Sequence, residues 1–203
     1  MISLKKFYLN KKKLNNRICI APMCQYSSNN GNPSDWHYFH LKKLMQAGSG
    51  LLIIESTAVS KEGMITKKDL SLYSKKNFVE FKKLFNYLIK ISDTKIGIQL
   101  SHSGRKGSSS LPWIKSNFPL KNKAGWKTIA PSKIKRDNHW PNPKEANLKD
   151  LNKIKLDFIK SSIYAKKIGF DCLEVHMAHG YLLHQFFSPL SNKRKDSYGN
   201  NLK

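Results

Sequence analysis

An α/β protein built on a parallel sheet is the fold class this chain predicts. Two patterns predict it: short apolar runs alternate with longer amphipathic stretches, and each run is followed at once by small or chemically useful residues. In parallel α/β architectures ligands bind at the carboxyl ends of the strands, so the second pattern is what an active face would show.

The elements follow in order. Residues 17–21 read as a first strand and 35–47 as a helix closed by Gly48. Residues 50–55 form the second strand, and 77–92 the second helix, because Phe78, Phe81, Leu84, Phe85, Leu88 and Ile89 recur at helical spacing. The third strand is 95–100, and a loop rich in Ser, Pro, Trp and Lys then runs to about residue 147. A loop of that length in a compact domain is either disordered or a cover over a site, and Trp113, Trp126 and Trp140 favour an ordered cover. The third long helix, 148–168, carries Leu151, Ile154, Leu156, Phe158, Ile159 and Ile163 toward a core. Gly169 ends it, and residues 170–175 are the fourth strand.

That strand runs straight into His176, and the turn that follows brings His179 and Tyr181 over the same opening. Two imidazoles can hold an oxygen that becomes negative during a reaction, and a phenol with a pKa near ~10 can deliver a proton. The competing reading, hydrogen-bonded structural histidines and a core tyrosine, stays open on this segment alone. Zinc fits poorly, because Cys172 and His176 lie four apart on a strand, roughly 13 Å at ~3.3 Å per residue, too far to share one metal.

Size and composition bound the rest. With 203 residues, 39% of them hydrophobic, the chain can bury one good core. Its longest apolar runs, 50–54 and 96–100, fall far short of the ~20 residues of a membrane span, and Lys5 and Lys6 interrupt any leader-like start. Cys19, Cys24 and Cys172 form no even framework, so free thiols and a cytoplasmic protein are expected. The net charge of +24 suggests nucleic acid, but only Arg17, Arg105, Arg136 and Arg194 are arginines and the lysines are scattered. Readers of phosphate and base edges lean on arginine, so specific nucleic-acid binding is not expected.

Four segments in order, Ala-Pro-Met-Cys-Gln-Tyr (21–26), Gly-Ile-Gln-Leu-Ser-His-Ser-Gly-Arg-Lys (97–106), His-Met-Ala-His-Gly-Tyr-Leu (176–182) and Ser-Pro-Leu-Ser-Asn-Lys-Arg-Lys-Asp-Ser-Tyr-Gly (188–199), carry a resemblance. Together they resemble the old yellow enzyme family of FMN-dependent oxidoreductases, in its bacterial branch of xenobiotic reductases and NADPH dehydrogenases. The resemblance implies a (β/α)8 TIM barrel with FMN at the carboxyl ends of the strands, of which residues 1–203 supply the first four β/α units as one truncated domain. It implies that Ala21, Pro22, Met23 and Cys24 line the flavin, with Cys24 tuning its potential. Ser56 stands where the branch often has alanine, and Gln99 would bond the pyrimidine end of the ring. His176 and His179 would grip a substrate carbonyl oxygen, Tyr181 would donate the proton, and Tyr26 would touch substrate.

The implied activity is reduction of FMN by NAD(P)H, followed by reduction of the C=C bond of an α,β-unsaturated carbonyl compound. A flavin-contacting arginine and the phosphate site belong to a C-terminal half, which the same gene product, a second chain or another copy would have to supply. The alternative is a non-catalytic basic binding or scaffold protein that keeps a partial barrel without FMN.

Overall fold

The computed structural model describes residues 1–120 and 124–199. A short antiparallel hairpin, β1 (Phe7–Leu9) and β2 (Lys12–Leu14), precedes the first strand of the main sheet, β3 (Cys19–Ile20). There follow α1 (Asp35–Gln46), β4 (Leu51–Ala58), β5 (Leu70–Ser71), α2 (Lys75–Leu88) and β6 (Lys95–Ser101). The long connection after β6 holds α3 (Pro112–Lys115), β7 (Ile129–Ala130) and β8 (Lys144–Glu145); then come α4 (Leu148–Ile168), β9 (Cys172–Val175) and α5 (Leu182–Phe187).

The main sheet runs β3-β4-β6-β9, all parallel, with β5 beside the end of β4. Its strands therefore lie in chain order. Leu52 and Ile54 of β4 pair with Ile96 and Ile98 of β6, and parallel partners share a face. On that face they meet Leu41 and Met45 of α1, Phe81, Leu84 and Leu88 of α2, and Ala165 and Ile168 of α4. All three long helices thus cover one side of the sheet. Sequential strand order with helices on one face is the topology of a barrel segment; a doubly wound sheet would carry helices on both.

Local chemistry explains where the helices begin and end. Ser34, Ser74 and Asn147 cap the three helices through reciprocal boxes with His37, Asn77 and Asp150. Gly169 closes α4 at φ 113°, a conformation open to glycine, and lies against Phe85.

The expected β/α units stand where the periodicity puts them, α4 over the expected residues 148–168. One expectation fails. Leu156, Ile159 and Ile163 of α4 are exposed; only Leu151, Ile154 and the end of the helix are buried. The helix carries two apolar stripes, and the second faces away from the sheet that is present. Leu173 and Val175 of β9 extend the helix-covered face of β6, yet are 38% and 42% exposed.

Candidate active site

The inner face of the sheet presents short or polar side chains. Gly97 is paired with Cys172, and a Cβ there would meet the Cys172 sulfur at 2.5 Å, so a larger residue would displace that thiol. One step further along, the Gln99 amide nitrogen donates to Glu174. This fixes the amide orientation, because a carboxylate can only accept, and leaves the amide oxygen without a partner among the described residues.

The turn after β3 is held from behind by a buried carboxylate. Glu55, 5% exposed, accepts the Gln25 backbone N–H at 2.8 Å and lies 3.3 Å from His37 Nε2. His37 Nδ1 accepts the Ser34 N–H, so the ring proton sits on Nε2, close to Glu55 but without a hydrogen bond to it. Gln25 adds a bond from its amide to Met23 O and accepts from the Trp36 indole. These contacts fix Tyr26 at φ 49°, a left-handed conformation that a tyrosine adopts only when its surroundings impose it.

Cys24 and Tyr26 emerge from this turn together. Burial pushes the Cys24 thiol up to about 12, helped by Asp69 and Glu55, so at neutral pH it is an uncharged donor rather than a thiolate.

The loop after β9 supplies the second cluster. His176 Nδ1 accepts the Ala178 N–H, which places the ring proton on Nε2, 3.2 Å from His179 Nδ1. Burial, then His179 and Lys106, hold the His176 pKa below its ordinary value against the pull of Glu174, so His176 is neutral. The rings of His176 and Tyr181 meet edge to face, with centroids 4.8 Å apart. Tyr181 is pushed well above the usual phenol range, by burial first and by Cys24 and Asp69 next, while Arg136 pulls the other way.

This loop is laced to the one after β6. His102 O accepts the Leu182 N–H, Gln185 spans Gly180 O and Arg105 N, and Lys106 Nζ donates to His179 O at 2.6 Å. His179, like Tyr26, is left-handed, at φ 55°.

Tyr26 and Tyr181 line one cavity of about 340 Å³, so the turn after the first sheet strand and the loop after the fourth do face a common opening. The long connection closes that cavity through Ser109, Pro112 and Asn117, and Trp113 packs edge-on against Tyr26 at 6.2 Å. The expected ordered cover is therefore present.

Ala21 and Met23 do not join them: they line a smaller recess of about 150 Å³ with His40, Ile53 and Glu55. Pro22 stands between them, half-buried, and Met23 is 69% exposed above the sheet. Glu55, Asp69, Glu174 and Arg136 escaped the sequence reading. Glu55, a lone acid inside an apolar strand, was the one signal that could have been found.

Fold and site define a class: half of an α/β barrel, with two imidazoles and a phenol grouped past the tip of its last strand. The chain belongs to the NADH:flavin oxidoreductase / NADH oxidase family, whose model matches residues 5–203. It is 43% identical over 188 residues to an NADH:flavin oxidoreductase of Gibberella zeae, covering 91% of this chain and 45% of that one. It is 40% identical over 189 residues to an NADPH dehydrogenase of Clostridium acetobutylicum, covering 92% and 51%. Among solved structures, morphinone reductase superposes with a TM-score of 0.84 at 21% identity, covering 98% of this chain and 54% of that one. Old Yellow Enzyme from Pichia sp. AKU4542 superposes with a TM-score of 0.83 at 24% identity, covering 98% and 52%. Both structures are TIM barrels, and this chain shares their fold. The chain spans about half the length of the curated relatives it matches.

FMN, with a nicotinamide nucleotide as reductant, is the cofactor of this family. The residues present fit it in part. An uncharged thiol, an unpartnered amide oxygen and an exposed methionine suit a neutral heterocycle that offers both N–H and C=O groups. Among the described residues, no arginine on the inner face stands ready for a phosphate there.

Proposed function

We propose that this chain is the N-terminal half of an ene-reductase acting on α,β-unsaturated carbonyl compounds. What carries the reading is the grouping of the His176, His179 and Tyr181 rings, of which Tyr181 lines the cavity that Tyr26 shares. When bound, FMN supplies the hydride, drawn from NADH or NADPH, that adds to the β-carbon. Cys24, Ser56 and Gln99, with the 21–23 backbone, would hold the ring system.

The substrate carbonyl oxygen would take the place of His179 Nδ1 as the acceptor of the His176 Nε2–H, with His179 turning its own N–H to the same oxygen. Charge arriving on that oxygen would then meet two donors, each able to lower the barrier by about 3 kcal/mol once water is excluded. Tyr181 keeps its proton at any physiological pH, so it gives that proton up only to a centre as basic as the α-carbon.

The reading also requires a second half that packs on the open side of α4 and β9. The exposed Ile159, Ile163, Leu173 and Val175 support this.

The test separates the half-reactions. With 2-cyclohexenone as substrate, Tyr181→Phe is expected to slow substrate reduction by ~10²-fold or more and to leave flavin reduction by NADPH within a few-fold of wild type. Equal slowing of both would overturn the assignment.

A further inference from the structure

The cavity at Tyr26 and Tyr181 has a charged wall that reducing a simple enone does not need. Lys106 and Arg136 both line it, between the hydroxyls of Thr66, Ser109 and Ser110. Lys106 Nζ uses one proton on His179 O and stands 5.1 Å from the centroid of the Tyr181 ring, leaving two protons free for a ligand. The Arg136 guanidinium carbon lies over Trp140, 4.6 Å from the ring centroid, and the side chain makes no hydrogen bond among the described residues.

Arg105, next in chain to Lys106, belongs to the same cluster and is tied to Ile134 O and Lys135 O. No carboxylate lies within 4.0 Å of these three cations among the described residues. Burial, then Arg136 and Arg105, lower the Lys106 pKa, and burial lowers that of Arg136 against the pull of Tyr181 and the neighbouring Asp137. Gathering like charges in a half-buried hollow is costly unless a counter-charge arrives.

We propose that Lys106 and Arg136 form an anion subsite that receives a carboxylate or phosphate group on a ligand whose reacting end lies at His176, His179 and Tyr181. The proposal rests on the ene-reductase reading for its reacting end, and it narrows the ligand class: the molecule reduced, or the nucleotide that drives the reduction, carries an anionic oxygen group on the Arg136 side. Arg136 supplies the planar pair of donors that fits such a group, and its rigid seat on Trp140 preorganises it.

The experiment uses the flavin-loaded protein and enones that carry a carboxylate two to four bonds from the alkene, 4-oxopent-2-enoate among them, each beside its methyl ester. Wild type is expected to favour at least one acid over its ester by ~10-fold or more in kcat/KM, with the preference shrinking at high salt. Arg136→Met should erase that preference and Arg136→Lys should keep most of it, which separates charge from packing on Trp140. In a parallel arm, the dependence of flavin reduction on NADPH and NADH concentration is measured in the same variants. A change confined to the acid-to-ester ratio assigns the anion to the substrate; a rise confined to the KM for the nucleotides assigns it to the reductant. Calorimetric titration of the oxidised protein with the saturated acids reads the same contact without turnover. The subsite is overturned if Arg136→Met alters none of these three readouts. The ene-reductase reading fails separately, by absence of turnover on the esters.

Discussion

The middle of the sheet and its flank at β9 are built from the same kind of residue and end in opposite states. Ile96, Ile98 and Leu100 of β6 are wholly buried beneath α2 and α4. Leu173 and Val175, their neighbours on the same face of the next strand, are more than a third exposed. The first flank behaves alike, with Trp36 and Phe39 exposed on α1. Apolar alternation therefore marks the residues able to be covered, and the coverage itself depends on which elements stand beside them. In this chain the interior is complete at β4 and β6 and open at both flanks.

The sharpest way to break this contrast is a cavity in the completed region. Phe81→Ala, at a side chain with no exposure, is expected to destabilise the fold by about 4 kcal/mol, read from the urea midpoint. A loss under 1 kcal/mol would mean that the middle is packed no better than the flank.

The next effect is on pH dependence. His102 is fully buried at the end of β6, with Nδ1 accepting the Gly104 N–H, and burial lowers its pKa from 6.5 to about 4. Above 6.5 neither the folded nor the unfolded imidazole is protonated, so its contribution is intact. Between 6.5 and about 4 the unfolded chain takes up a proton that the fold refuses, and stability falls with pH by roughly 3 kcal/mol across that window. Denaturation of wild type and His102→Asn at pH 7 and pH 4.5 checks this: the variant should lose less on acidification, and parallel losses would refute it.

The smallest effect sharpens the comparison at the flank. Ile163→Ser on the open stripe of α4 should change the stability of this chain by no more than about 0.5 kcal/mol, because the side chain already meets water. The same change in a full-length protein would cost more, and an equal cost in both would argue against a covering neighbour.

Much of the fold was legible in the sequence because helices and strands here alternate with clean periods, and α4 runs from an Asn147 cap to a Gly169 stop. The stretches without a period were not. The β1–β2 hairpin and β5 are two or three residues per strand, too short for an alternation to register. The site divides in the same way. His176, His179 and Tyr181 are neighbours in sequence and read as a group, whereas Lys106 and Arg136 meet only because the connection between them folds back over the cavity. Asp69 shares their story: its carboxylate caps Thr66 from a loop that carries no motif.

The left-handed backbone at Tyr26 and His179 has an outcome for anyone who would make this molecule more robust. Each position holds a bulky side chain where asparagine or glycine would sit more comfortably, at a penalty on the order of 1 kcal/mol apiece. Selection for heat tolerance alone would drift toward those replacements and strip one ring from the cavity wall and the other from the histidine pair. The spots where robustness is most cheaply gained are the ones that such a campaign should lock.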